Sequence, residues 1–309
     1  MVYELNFFSY TGIINSLGFA LIGLWVFLSN PRGFVNRTFA IFNLFAFLWS
    51  FPYVFWSAAT DQETAIFWLR ILDVGAAFIM PAFLHFTTAF LGIYKSYMKK
   101  FFIALYIFFI LFSLMFLFTD LLIKDAVKNY WPFFTPVHGP LLTLYLLFWG
   151  GIFAFGGYLM FIHYKRAQGD DKKRFLYALI AFMIGVIGGS SNFIMWYVAS
   201  IPPIGNPFVF LYVVIMTFII TKYRLFDMKV IAVEVISFAM WYFLLLRFAL
   251  AKTMANMFTE GFFFLGSVVF GLFLIRSARQ EVKQKEQLAE LNTKLNTANF
   301  QLLDLNQNL

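Results

Sequence analysis

Nine apolar segments limit what this chain can become. They run over residues 7–28, 38–59, 69–93, 101–122, 141–162, 175–198, 204–221, 231–250 and 257–275. Each is about 18 to 25 residues long, the length a helix needs to cross the hydrocarbon core of a bilayer. Lipid offers the backbone no water, so a crossing segment must satisfy its own N–H and C=O groups as a helix. Only 12% of the residues are charged and 62% are hydrophobic, whereas soluble domains carry about 25% charged residues. The expectation is an all-α, polytopic transmembrane bundle of about nine helices. Met1 to Asn6 carries Glu4 and no basic residue, so no cleavable signal peptide is apparent and the first apolar run is read as a retained helix.

Basic residues fix the orientation. With the amino terminus outside, the inner loops hold Arg32, Arg37, Lys95, Lys99, Lys100, Lys165, Arg166, Lys172, Lys173, Arg174, Lys222, Arg224 and Lys229. The outer connections hold Arg70, Lys124, Lys128 and Lys252. That imbalance follows the positive-inside rule and accounts for most of the net charge of +8 without nucleic acid. Nine crossings then put the carboxyl tail in the cytoplasm, behind the basic flank Arg276 and Arg279. Cysteine is absent, which excludes disulfides and thiolate metal sites.

The tail, residues 276–309, is the one stretch that water could solvate. Leu288, Leu291, Leu295, Ala298, Leu302, Leu305 and Leu309 alternate spacings of three and four, the a/d seam of a coiled coil. A parallel homodimer is the preferred reading, and a single amphipathic helix on a membrane or a missing domain is the alternative. The seam is unbroken at Leu309, as in a connector whose far end is absent.

Ionisable residues at membrane depth are costly and are functional candidates. The third segment aligns Asp73, Pro81 and His85. Pro81 removes a backbone donor and bends a helix, and His85 lies one turn beyond it. A histidine there could gate by protonation, bind a ligand or metal, or hydrogen-bond across the bundle as structural glue; the last is preferred. Asp73, three residues from Arg70, is read as the acid of an i,i+3 pair. In the sixth segment Gly185 and Gly189 form a G-x-x-x-G spacing for close helix packing, with Ser190, Ser191 and Asn192 able to bond across it. A polar pocket is the second reading. The longest outer connection, Asp120 to Pro140, contains Tyr130, Trp131, Phe133 and Phe134. It is either a lid over a ligand site, with Trp131 in contact, or an interfacial loop of an aromatic belt, the preferred reading. Arg247 and Glu234 are assigned no chemistry.

No catalytic constellation, phosphate-cradling loop, cofactor motif or metal cluster is recognisable. Several short motifs, however, resemble one family in order. They are Asn36-Arg37-x-Phe39, Leu48-Trp49-Ser50, Trp68-x-Arg70, Pro81-x-x-x-His85-Phe86, Ser191-Asn192-Phe193, Ile201-Pro202-Pro203-Ile204-Gly205 and Lys222-Tyr223-Arg224-Leu225-Phe226-Asp227. Together they resemble the N-terminal seven-helix sensor region of bacterial histidine kinases. The resemblance implies a sensor region over residues 1–227, two further crossings over 228–275, and a coiled-coil linker over 276–309. It further implies a bacterial cytoplasmic (inner) membrane location, a two-component signalling role, and kinase domains or a response regulator as downstream partners beside the lipid bilayer. His85 lies within a membrane segment and lacks the acidic or amide neighbour of a phospho-acceptor histidine, so no kinase residue carries over. A small-molecule transporter or channel and a scaffold that recruits partners through its tail are the alternatives.

Overall fold

The computed structural model describes residues 3–203, 205–221, 228–251 and 253–307. The chain is an all-α polytopic helix bundle, with nine helices and one small sheet among the described residues. In chain order these are α1 (Phe7–Ser29), α2 (Phe34–Ala58), α3 (Gln62–Phe90), α4 (Met98–Phe118), the strands β1 (Ile123–Val127) and β2 (Thr135–His138), then α5 (Leu142–Arg166), α6 (Gly169–Tyr197), α7 (Asn206–Thr221), α8 (Met228–Ala249) and α9 (Met254–Gln307). The first six helices and the Met254–Lys285 part of α9 are long and apolar enough to cross a membrane. The apolar stretches Pro207–Thr221 of α7 and Ile236–Ala249 of α8 are shorter. Two compact units divide between Tyr223 and Arg224. The Lys222 to Asp227 motif, Ile204, Lys252 and the last seam position, Leu309, lie outside the described residues, as do the side chains of Ala298, Leu302 and Leu305.

Helix ends in the first unit are closed by local chemistry. Asn6 caps α1 in a reciprocal box with Ser9, and Asp61 caps α3 by accepting from the Thr64 N–H at 2.8 Å. That backbone bond, then the Thr64 hydroxyl, holds the exposed Asp61 carboxyl below its usual range. Leaving α3, Gly92 takes φ +70°, a left-handed conformation suited to glycine, and its N–H bonds the Ala89 carbonyl.

Between helices, small and polar residues do the joining. Ser16 donates to the Gly12 carbonyl at 2.6 Å and to Ser50 at 3.2 Å, and Ser50 also donates to the Gly12 carbonyl. Ser9 and Ser57 meet at 3.0 Å. With no hydrophobic drive between helices in lipid, such bonds and close backbone approach supply the association. At Gly75, α3 comes close to the backbone of α2. A Cβ on Gly75 would sit 2.4 Å from the Trp49 nitrogen and 2.5 Å from the Leu48 carbonyl carbon. Pro52, inside α2, has no N–H to give the Leu48 carbonyl four residues back. Gly75 thus packs where the helical ladder of α2 already has a gap. Sequence reasoning assigned Pro52 no role. Helix α3 itself runs from Gln62 to Phe90 through the buried Pro81.

The sheet was not anticipated in a chain read as all helix outside its loops. Strands β1 and β2 form an antiparallel hairpin between α4 and α5. Leu122, Ile123, Ala126, Phe133 and Phe134 are buried, whereas Tyr130 is 69% exposed. Of the four aromatics of this connection, Phe133 and Phe134 turn into the bundle, whereas Tyr130 is exposed and Trp131 half-buried.

In the second unit α8 and α9 are joined at three levels. Glu234 accepts from Arg279 Nε at 3.0 Å, the Trp241 indole donates to the Ser267 carbonyl at 2.9 Å, and Arg247 pairs with Glu260. Arg247 and Glu234, assigned nothing from sequence, are thus inter-helix partners. Helix α9 continues without a break through Ile275 into the leucine seam, 54 residues in all, or about 80 Å at 1.5 Å per residue.

Replacing Gly75 by alanine should lower thermal stability in detergent by about 1–3 kcal/mol, since the obstructing atoms are backbone and cannot rotate away. Gly150→Ala, where a Cβ meets nothing within 4 Å, should be neutral or slightly stabilising. Equal melting shifts for the two variants would contradict this packing.

Candidate ligand-binding cavity

Inside the first unit lies a cavity of about 90 Å³ whose walls come from α2, α3, α5, α6, α7 and the β2 residue Pro136. Aromatic side chains dominate the walls, among them Trp49, Trp56, Trp149, Trp196 and Tyr212. The charged group on the lining is Asp73.

Asp73 is 2% exposed and its Oδ2 has no hydrogen-bond partner among the described residues. The i,i+3 pairing with Arg70 does not form. Arg70 instead donates to Asp120 at 2.7 Å and to the Leu117 carbonyl at 3.2 Å, tying α3 to the end of α4. Arg70 is thereby occupied with a partner fifty residues away, and Asp73, nearly one turn further along α3, lines the cavity. Asn192 and Tyr212 share the lining with it. The Asn192 amide donates to the Gly189 carbonyl at 3.3 Å, while its Oδ1 and the Tyr212 hydroxyl are buried without a partner among the described residues.

The small residues of α6 divide between packing and cavity. Gly185 abuts Tyr212, and Gly188 abuts the Gly205 carbonyl, 2.5 Å from the position of a Cβ. Gly189 has open space within 4 Å and lines the cavity. Close packing on α7 and its preceding turn therefore uses Gly185 and Gly188, correcting the Gly185–Gly189 pairing. Ser191 does bond across that contact, accepting from the Gly205 N–H at 3.0 Å and donating to the Gly188 carbonyl at 2.8 Å. Ser190 only returns to its own helix, to the Val186 carbonyl.

The hairpin closes one side. Pro136 reaches the lining, the Trp56 indole donates to the Phe134 carbonyl at 2.9 Å, and Phe133 rests on Phe8 and Trp56 at centroid distances of 4.8 and 5.0 Å. Trp131 is not on the lining. Its indole donates to the Ala199 carbonyl at 2.8 Å, pinning the hairpin to the turn after α6.

His85 stands apart from this cavity. Its ring stacks on Phe102 at 4.3 Å, with Tyr94, Phe34 and Tyr106 at 5.4, 5.6 and 6.2 Å. Neither ring nitrogen has a partner among the described residues, so the expected cross-bundle hydrogen bond is replaced by aromatic packing. Among the described residues no three His, Asp or Glu side chains gather to hold a metal.

The segment that builds the cavity is also the segment with recognisable kin. Residues 13–229 match the family described as the N-terminal 7TM region of histidine kinase. The chain belongs to that family. No curated protein and no solved structure matches it. The match takes in most of α1 and all of α2 to α7, so the cavity lies wholly within the histidine-kinase 7TM region. Sequence reasoning had named Asp73, Asn192, Gly185 and Gly189 without connecting them. It missed the aromatic wall, because in a chain with 22% aromatic residues no local signal separates a lining tryptophan from a lipid-facing one.

Trp56→Phe leaves the Phe134 carbonyl without its donor in a dry setting, a loss of about 1–3 kcal/mol. Amide exchange across residues 123–138 should accelerate in this variant while exchange in α1 stays unchanged. Unaltered hairpin protection would show that the indole bond does not hold it.

Proposed function

We propose that this chain is the membrane sensor of a two-component histidine kinase: the cavity takes the stimulus, and α9 carries the response to the cytoplasmic seam. The observation that supports this most directly is a buried, unpartnered carboxylate in an aromatic cavity within the family-matched region. Residues 1–227 form the sensor proper, 228–275 add two membrane helices, and 276–309 form the linker. The protein resides in the bacterial inner membrane with its amino terminus outside and the seam in the cytoplasm, as the distribution of Lys and Arg favours.

Continuity of α9 supports the output half of the reading. A rigid helix has no joint at which a rotation could dissipate, so a small turn of its membrane part reaches the linker as a change of phase. Leu288, Leu291 and Leu295 are 69, 62 and 59% exposed in the single chain. A second copy of the seam would cover them in a parallel coiled-coil homodimer and deliver the phase change to kinase domains and, through them, to a response regulator.

Two outcomes are expected. In the full-length kinase, Gly189→Phe should occupy the cavity and shift basal autophosphorylation several-fold in either direction, whereas Gly150→Phe on α5 should leave it near wild type; identical output from both would refute the cavity as the input site. In membranes, the cysteine-free chain carrying Leu295→Cys should form a disulfide-linked dimer on mild oxidation, and Thr293→Cys, opposite the seam, should not. Equal crosslinking of the two would rule out this seam.

A further inference from the structure

We propose that the cavity binds a small organic ammonium ion: a compact, largely apolar molecule with one protonated amine and roughly six to nine non-hydrogen atoms. The size follows from a volume of about 90 Å³ at about 10–15 Å³ per water-sized occupant. This names the ligand class for the sensor reading above and rests on that reading only for the link to signalling.

Three observations converge on a cation. First, the lining carries Asp73 and no lysine, arginine or histidine, and the neighbouring cation on α3, Arg70, is held by Asp120. A carboxylate so buried needs an opposite charge or a proton. Second, the unsatisfied atoms of the charged and amide groups on the lining are acceptors, Asp73 Oδ2 and Asn192 Oδ1. A complementary ligand must bring donors, and an ammonium group has three donors and no acceptor, while the Tyr212 hydroxyl can turn to accept as well. An anion would meet like charge instead. Third, four of the eight tryptophans, Trp49, Trp56, Trp149 and Trp196, line the cavity. Indole attracts cations through its π face more strongly than the other aromatic rings, and its apolar surface accommodates the rest of such a molecule.

The same tryptophans provide the readout. The full chain in lipid nanodiscs would be titrated with benzylamine and, separately, with benzyl alcohol, a neutral molecule of nearly the same shape, following tryptophan fluorescence against empty-disc controls. Benzylamine should bind saturably and at least tenfold more tightly than benzyl alcohol. Asp73→Asn, which keeps the shape and removes the charge, should abolish that preference. Equal affinity of the two probes for the wild-type chain would mean that Asp73 simply holds a proton, and would overturn the proposal without any variant; so would a preference that survives in Asp73→Asn. Failure of benzylamine to bind while Gly189→Phe still alters kinase output would remove the ammonium class and leave the sensor reading standing.

Discussion

Lipid leaves a polar side chain no water to fall back on, and that constraint sorts the interior of this protein. Most buried polar groups find a backbone or hydroxyl partner: Ser16 and Ser50 at the α1–α2 contact, Ser113 on the Phe109 carbonyl, Ser191 across to Gly205. Ser113 returns to its own helix, whereas the Ser16–Ser50 bond joins α1 to α2 and Ser191 ties α6 to the turn before α7, where lipid supplies no hydrophobic drive for association. Other buried polar atoms have no partner among the described residues; most lie elsewhere in the bundle, such as both His85 nitrogens and the Tyr106 hydroxyl, but Asp73 Oδ2, Asn192 Oδ1 and the Tyr212 hydroxyl share one cavity. A buried carboxyl on an aromatic lining, where α2, α3, α6 and α7 converge, is what marks this cavity as a candidate site.

The fold was legible because length and apolarity alone decide which segments can cross a bilayer, and no partner need be known. What depended on distant residues was not. The spacing of Arg70 and Asp73 suggested a pair, but Asp120 competes for the guanidinium from across the α4 turn, a contact no local pattern encodes. In α6 a G-x-x-x-G spacing was visible, yet the choice of Gly188 over Gly189 depends on where the turn before α7 brings the Gly205 carbonyl. The hairpin escaped notice because Ile123–Val127 is too short to read as a strand without its partner. Trp49 and Trp25 look alike in sequence; one lines the cavity and the other is 50% exposed.

The second unit follows a different logic. Its helices are joined by ion pairs near both ends and an indole bond between them, while Phe258, Phe262, Phe270 and Phe273 on α9 remain exposed. Such a surface is stable only against lipid or a second protein. Beyond residue 285 the same helix turns polar between its leucines, so a single element passes from a lipid-facing to a water-facing character without changing its backbone geometry.

The hairpin over the cavity is fastened at two places that belong to different walls: Trp56 of α2 holds the Phe134 carbonyl, and Trp131 reaches the carbonyl of Ala199 beyond α6. The two anchors, Trp131 and Phe134, are only three residues apart, so it is the tip of the hairpin that is held between α2 and the turn after α6. Loss of either bond would orphan a carbonyl at about 1–3 kcal/mol. The segment that brings Pro136 to the cavity is thus kept in register by two indoles rather than by its own two short strands.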